Sequence, residues 1–422
     1  MRNALLAVLM SVAPSLAADD LVPHGSRVLF VGDSNTFAGR FIAYLEAHAR
    51  AHYPERKIEW VNLGLPSETI SGLSEPDHPY PRPNVHTRLA EALKKTKPTI
   101  VVACYGMNDG IYYPFSEERF QKYHEGYRKL IADCEKAGAK VVLMSPAPFD
   151  SRPVKDKTLS KGAEKYSCLK PYVDYDSDVL KRYSDWQVTL RKKGYLVADA
   201  HAAMHLHFAK MGKIVPEYVV SADGIHPNAS GHFIVFRELA STLGLPTAGR
   251  ETRIDAAAGT SENAEVSGIK VGSGKVEFTW KMPVSFPRDT AWHYRLAEIE
   301  SIASGIGALQ LNLAGLPEGK HSLYEGDKLI GSATAQEWKA GVDLTKWTAL
   351  GTNKRTAELW DLIQKKQRIL GLAWLTEVGH KRPDTRKGIP LAEALKYGEE
   401  IDEQVKKLTS APAMQLKVVA EK

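Results

Sequence analysis

Cysteine is scarce: Cys104, Cys134 and Cys168 are three in a chain of 422 residues. So small and odd a set allows one bridge at most, and no disulfide framework can be what holds the fold together. CxxC and Cys/His spacings are missing, which removes the common structural zinc sites. Runs of like charge are short. The net charge is +6, yet the longest stretch of one sign is Arg191 to Lys193, so there is no basic stripe to track a phosphate backbone and nucleic acid is not an expected partner. GIGALQ and GLPEGKH each lack a residue that a dinucleotide turn or a phosphate loop requires. After the first residues, no apolar run approaches the ~18 needed to span a bilayer.

The exception lies at the start. Residues 1–17, MRNALLAVLMSVAPSLA, put Arg2 before an apolar run from Ala4 to Val12 and close on Ser15-Leu16-Ala17. This pattern predicts a secretory signal cut before Ala18, and hence a secreted or periplasmic protein.

The chain as a whole has 43% apolar and 25% charged residues, enough to bury a large core across two or three domains. From Arg27 to about Leu245, short Val/Ile-rich runs alternate with amphipathic stretches. The runs are RVLFVG (27–32), IEWVNL (58–63), TIVVACY (99–105), KVVLMSP (140–146) and YLVADA (195–200). Short apolar strands separated by helices imply a parallel sheet covered on both faces, an α/β doubly wound domain over residues 18–247. Residues 248–263 bear Gly, Ala and Ser without apolar periodicity and read as a linker. Beyond them, KVEFTWKM alternates Val276, Phe278, Trp280 and Met282, and HSLYEGDKLIGSA suggests a hairpin turning at Glu325-Gly326-Asp327. A small β-rich module over 264–344 is expected, followed by a C-terminal helical region over 345–422. Six of the eight tryptophans lie past the linker and are expected in its core.

In an open parallel sheet, ligands bind outside the carboxyl ends of the strands. Polar or small groups follow three of the strands there: Gly32-Asp33-Ser34-Asn35, then Asn62-Leu63-Gly64, then Gly106-Met107-Asn108-Asp109. Downstream, Asp223-Gly224-Ile225-His226-Pro227 precedes a helix. This set suits acyl transfer. Ser34 is a nucleophile in need of a base, His226 supplies one, and Asp223 can hold the imidazole in one tautomer. Charge developing on a carbonyl oxygen wants fixed donors, and the backbone N–H groups of Ser34 and Gly64 with the side-chain amide of Asn108 offer three. Asp33 and Asp109 are expected as turn residues, and Asn35 has no assignable role. Thr36 stands where a G-x-S-x-G nucleophile elbow needs its second glycine, which excludes the lipase-type α/β-hydrolase arrangement.

These four blocks, GDSN, NLG, GMND and DGIHP, resemble in order the blocks of the SGNH (GDSL-type) hydrolases. The resemblance ends near residue 247. It implies a flavodoxin-like three-layer fold and a serine esterase acting on small-molecule or polysaccharide esters without cofactor or metal. Export, an open-rim site and an appended β module point to carbohydrate O-deacetylation. A lipid, aryl or thioester hydrolase, or an inactive polysaccharide-binding protein, are the alternatives. Residues 151–178 are expected to shape the pocket. His201 and His205 have the i, i+4 spacing of a metal pair, but with no HExxH glutamate nearby they read as a satisfied helix face, without a bound metal. Oligomeric state is not legible.

Overall fold

The computed structural model describes residues 21–421 except 273, 303 and 304. The expected signal sequence lies outside the described residues.

The first part of the chain runs β1 (Arg27–Gly32), α1 (Ser34–Ala38), α2 (Arg40–His52), β2 (Glu59–Asn62), α3 (Leu89–Thr96), β3 (Ile100–Cys104), α4 (Glu117–Lys136), β4 (Lys140–Met144), α5 (Lys181–Thr189), β5 (Leu196–Ala198), α6 (Ala200–Gly212) and α7 (Ala229–Thr242). The strands form one parallel sheet in the order β2-β1-β3-β4-β5, the flavodoxin-like order expected. Period-2 alternation sends each strand into two cores. Val28, Phe30, Val102 and Met144 pack on the side of α2 and α7, while Leu29, Val31, Ala103 and Leu143 pack on the side of α3 and α4. Burial on both faces is why these strands read as unbroken apolar runs.

The remaining elements are β6 (Arg250–Asp255), β7 (Thr260–Ser261), β8 (Val266–Gly272), β9 (Lys275–Lys281), α8 (Leu296–Ile299), β10 (Leu309–Ala314), β11 (Lys320–Glu325), β12 (Lys328–Thr334), α9 (Ala335–Ala340), β13 (Val342–Asp343), α10 (Gly351–Val378), α11 (Leu391–Thr409) and β14 (Ala413–Ala420). They build two more sheets, β13-β10-β6-β7 and β12-β11-β14-β9-β8, whose inner faces share one core containing Ile254, Leu311, Phe278, Trp280 and Leu416. The expected hairpin is present, with Glu325 paired to Lys328 across Gly326-Asp327. Of the six tryptophans past the linker, Trp280 and Trp338 are fully buried in this core, Trp360 and Trp374 are buried in the cores of the α/β domain instead, and Trp292 and Trp347 are only partly buried.

Two stretches differ from the sequence reading. Residues 250–255, expected within a linker, form β6 and pair in parallel with β10 along its whole length. Only Thr252 and Ile254 of that strand are buried, which is too short an alternation to stand out. Residues 413–420, expected within a helical region, form β14 at the centre of the five-stranded sheet. Their Met414, Leu416 and Val418 alternate inward, so the chain end seals the sandwich.

α10 ties the two parts together. Leu359 and Ile363 enter one core of the α/β domain, and Leu370, Trp374 and Leu375 enter the other, so the helix lies along the open edge at β2. Gln367 Nε2 donates to the carbonyl of Trp60 on that strand at 3.4 Å. Covering an edge in this way removes a row of unpaired backbone groups. The ring of Tyr44 on α2 stacks on Trp360 with centroids 4.7 Å apart, and its hydroxyl donates to Asp289 at 2.5 Å. No helix among the described residues is long and apolar enough to cross a membrane.

Candidate active site

The strand order reverses between β1 and β3, and the crevice outside their carboxyl ends is where such a sheet binds ligands. At the end of β1 the chain turns into α1. Asp33, not Ser34, caps that helix: its carboxylate accepts the N–H of Asn35 at 2.9 Å. The serine hydroxyl is thereby left for another partner, and His226 Nε2 lies 2.8 Å from Ser34 Oγ.

His226 reaches this point through a tight loop ahead of α7. Asp223 Oδ1 accepts the backbone N–H groups of Ile225 at 3.0 Å and His226 at 2.8 Å, and Oδ2 lies 2.6 Å from His226 Nδ1. Partial burial pushes the Asp223 carboxyl up, but the His226 ring and these two N–H groups outweigh it and hold the acid well below the usual carboxylate range. The hydrogen bond to Asp223 in turn raises the imidazole above its ordinary value, against partial desolvation. Gly224 has φ +79, and a Cβ there would stand 2.7 Å from the carbonyl oxygen of Asp150, so only glycine permits the turn. Asn228 caps α7, accepting from Ser230 at 2.9 Å and Gly231 at 3.2 Å. Asn35, without a role in the sequence reading, bridges the two loops: its side-chain amide donates to the carbonyl of Ile225 at 3.4 Å.

Of the expected oxyanion donors, Asn108 lines the same cleft as Ser34. Tyr112 Oη donates to Asn108 Oδ1 at 3.0 Å, and Asn108 Nδ2 donates to the carbonyl of Glu68 at 3.1 Å. These partners fix which way the amide points and engage one of its two N–H groups, in a side chain that lines the cleft with Ser34. Gly64 is a correction. Its N–H donates to Asn62 Oδ1 at 2.9 Å and is used up within its own turn. The glycine is required for another reason: a Cβ would stand 2.2 Å from the backbone nitrogen of Phe37, so its absence lets the β2 loop press against α1. Ser67, three residues on, lines the cleft instead. It has φ +68, a conformation costly for a residue with a Cβ, and its backbone N–H has no partner among the described residues. Positive φ is usually supplied by glycine, so a serine there gave no signal in the sequence.

The acids beside the site are structural, as expected. Burial pushes Asp33 up to about 7 and Asp109 up to about 6. Asp109 Oδ1 accepts from the backbone of Ile70 at 2.9 Å and Ser71 at 2.8 Å, which holds the loop that carries Ser67.

The cleft has a volume of about 320 Å³. Val154, Lys157 and Leu169 come from the stretch expected to shape it, Arg82 and Tyr112 from the loops after β2 and β3, and Arg382 from the turn between α10 and α11. Arg82 is tied to Glu75 through a buried two-pronged ion pair at 2.5 and 2.7 Å. Cys104, Cys134 and Cys168 are all free thiols.

Comparison with known proteins matches the model of the GDSL-like lipase/acylhydrolase family to residues 30–234. An acetylxylan esterase of Geobacillus stearothermophilus is 23% identical over 244 residues, 53% of this chain and 96% of its own. A solved structure described as a gut microbial diltiazem-metabolizing enzyme superposes with a TM-score of 0.73 at 16% identity, over 94% of this chain and 98% of its own. That likeness extends to the β sandwich and the C-terminal helices as well as the parallel sheet. Over residues 30–234, just under half of the chain, the α/β domain with its sheet order and polar rim is similar to the GDSL-like lipase/acylhydrolase family.

Proposed function

We propose that the chain is an exported acetylesterase that removes acetyl groups from a carbohydrate through Ser34, His226 and Asp223. The unbroken hydrogen-bond sequence Ser34 Oγ–His226 Nε2 and His226 Nδ1–Asp223 Oδ2, at 2.8 and 2.6 Å, carries this reading. His226 takes the proton from Ser34 as Oγ attacks the ester carbonyl. It returns that proton to the departing alcohol, leaving an acyl-enzyme. Water then attacks the acyl carbon, gives its proton to His226, and the acid leaves as Ser34 is restored. The N–H groups of Ser34 and Ser67 and the Asn108 amide receive the developing oxyanion, each donor contributing about 3 kcal/mol by precedent. Asp223 fixes the tautomer and stabilises the imidazolium.

Short acyl groups on a polar alcohol are favoured by the cleft. At about 320 Å³ it is at the small end of ligand pockets, and charged Arg82, Lys157 and Arg382 line it, so a long alkyl chain would desolvate charge as it entered. The acetylxylan esterase relative and the N-terminal Arg2-to-Ala17 pattern support the substrate and the export. The test is a panel of acetyl, butyryl and dodecanoyl aryl esters beside acetylated xylo-oligosaccharides, run on the native protein and on Ser34→Ala. Loss of hydrolysis in Ser34→Ala and preference for acetyl substrates are expected. Preference for the dodecanoyl ester would overturn the carbohydrate assignment, and equal rates for the two proteins would overturn the esterase mechanism.

A further inference from the structure

The three histidines of HAAMHLHF go to different places. His207 turns inward, with Nδ1 2.8 Å from Glu300 Oε1 and Nε2 3.0 Å from Tyr218 Oη, and is fully engaged by the fold. His201 and His205, four residues apart on α6, lie on one helix face with ring centroids 4.5 Å apart. Both present Nε2 to one carboxylate, at 3.2 Å to Asp176 Oδ1 and 2.8 Å to Asp176 Oδ2. Asp176 opens a single π-helical turn, Asp176–Leu180, that leads into α5. Such turns recur at functional sites because they re-aim a side chain.

We infer that Asp176, His201 and His205 bind one divalent zinc-class ion. Their three donor atoms lie within 4.8 Å of one another. Ligands about 2.0–2.2 Å from a tetrahedral ion stand roughly 3.3 Å apart, close to the 3.2 and 2.8 Å that separate the two imidazoles from the carboxylate, so a small readjustment of the three side chains would admit one. Two imidazoles and one carboxylate are a donor set for zinc, whereas magnesium and calcium prefer oxygen alone. Supports behind the ligands are built in. The N–H of Phe149 donates to Asp176 Oδ1 at 2.9 Å, and the backbone of His201 donates to Ser145 Oγ at 3.0 Å, whose hydroxyl holds Asp199, the cap of α6. The site also has an entrance. The His205 side chain is 46% exposed while those of His201 and Asp176 are 7% and 18% exposed, leaving the fourth position open to water.

The ion would also reach the esterase loop. After Phe149, whose N–H rests on Asp176, Asp150 N–H donates to the carbonyl of Gly224 at 2.9 Å, next to Asp223. Metal bound at Asp176 therefore stiffens the segment that carries Asp223 and His226.

The test is binding of Zn²⁺ to the chelator-treated, dialysed full-length protein by titration calorimetry, with zinc content measured after gel filtration and unfolding midpoints measured with and without Zn²⁺. The native protein is expected to take up one equivalent more than His205→Ala, which alters a half-exposed side chain and leaves the fold intact. Asp176→Asn is expected to weaken binding by at least about 10-fold, in line with loss of a ligating group. Zinc is expected to raise the midpoint of the native protein by several degrees and to leave that of His205→Ala unmoved. Equal zinc uptake and equal midpoint shifts in the native protein and both variants, or no uptake by the native protein at millimolar Zn²⁺, would show that Asp176 merely accepts hydrogen bonds from the two imidazoles.

Discussion

Asn62 Oδ1 accepts the backbone N–H of Gly64 at 2.9 Å, while Asn62 Nδ2 donates to the carbonyl of Thr36 at 3.0 Å. One side chain therefore occupies the N–H that the motif pattern offered to the substrate and pins the helix that presents Ser34. In the following turn, Pro66-Ser67, Ser67 lines the cleft and its N–H has no partner among the described residues, which is why the donor role is proposed for it.

Ser67→Gly is expected to stabilise the protein. A side chain at φ +68 costs about 1 kcal/mol that glycine does not incur, so the unfolding midpoint should rise by roughly 2 °C. Because glycine keeps the N–H, kcat should change less than twofold. A tenfold loss on aryl acetates would instead assign the work to the Ser67 hydroxyl.

Asn108→Ala removes the side-chain donor, and kcat should fall about 100- to 1,000-fold with little change in KM. Tyr112→Phe leaves the amide in place but releases Oδ1 from its 3.0 Å partner, so the amide can turn over. Its expected loss lies between those of Asn108→Ala and the native protein. A larger loss in Tyr112→Phe than in Asn108→Ala would contradict the assigned roles.

The acid limb of the rate profile follows His226. Its hydrogen bond to Asp223 raises the imidazole above the usual 6.5, and only the neutral ring can accept the serine proton. Activity is therefore present above that raised pKa and lost as pH falls through it. Asp223→Asn removes the negative charge, so the limb should move to lower pH while kcat drops on the order of 10³- to 10⁴-fold. A limb that stays put in Asp223→Asn would place the titrating group elsewhere.

Part of this architecture was legible in the sequence because its physics is local. The five strands are apolar on both faces, and Asp223 and His226 lie three residues apart, so their pairing needs no tertiary information. What was not legible depends on contacts across the chain. Asn62 and Gly64 form a polar turn whose N–H could face inward or outward, and only the packing of Gly64 on Phe37 decides it. β6 carries too few buried residues to announce itself, and its partner β10 lies 59 residues away in register at Leu309 and Arg250. Arg382 reaches the cleft from beyond α10, and Asp176 meets His201 from 25 residues away. Neither placement leaves a periodicity to read.

The joint between the two parts of the chain can be tested through Lys366. This α10 side chain is buried, with Nζ 2.7 Å from Glu46 Oε1 on α2 and 2.6 Å from Asp402 Oδ1 on α11, while Gln367 Nε2 donates to the other Glu46 oxygen at 2.6 Å. Burial pushes the Glu46 carboxyl up, but Lys366 and Arg50 outweigh it and hold its pKa below the ordinary value. Lys366→Met strands that carboxylate in the interior, and a destabilisation of about 3–5 kcal/mol is expected at pH 7. Lys366→Met combined with Glu46→Leu removes the stranded charge and should recover most of the loss. The pH dependence distinguishes charge from packing. A carboxyl with a depressed folded pKa contributes stability above its unfolded pKa near 4.3 and loses it as pH falls through the folded value. In Lys366→Met the stranded Glu46 takes up a proton instead, so its deficit relative to the native protein should shrink as urea melts are moved from pH 7 to pH 4. A deficit that is the same at both pH values would mean that lost packing, rather than a lost cation, is what the α10 joint feels.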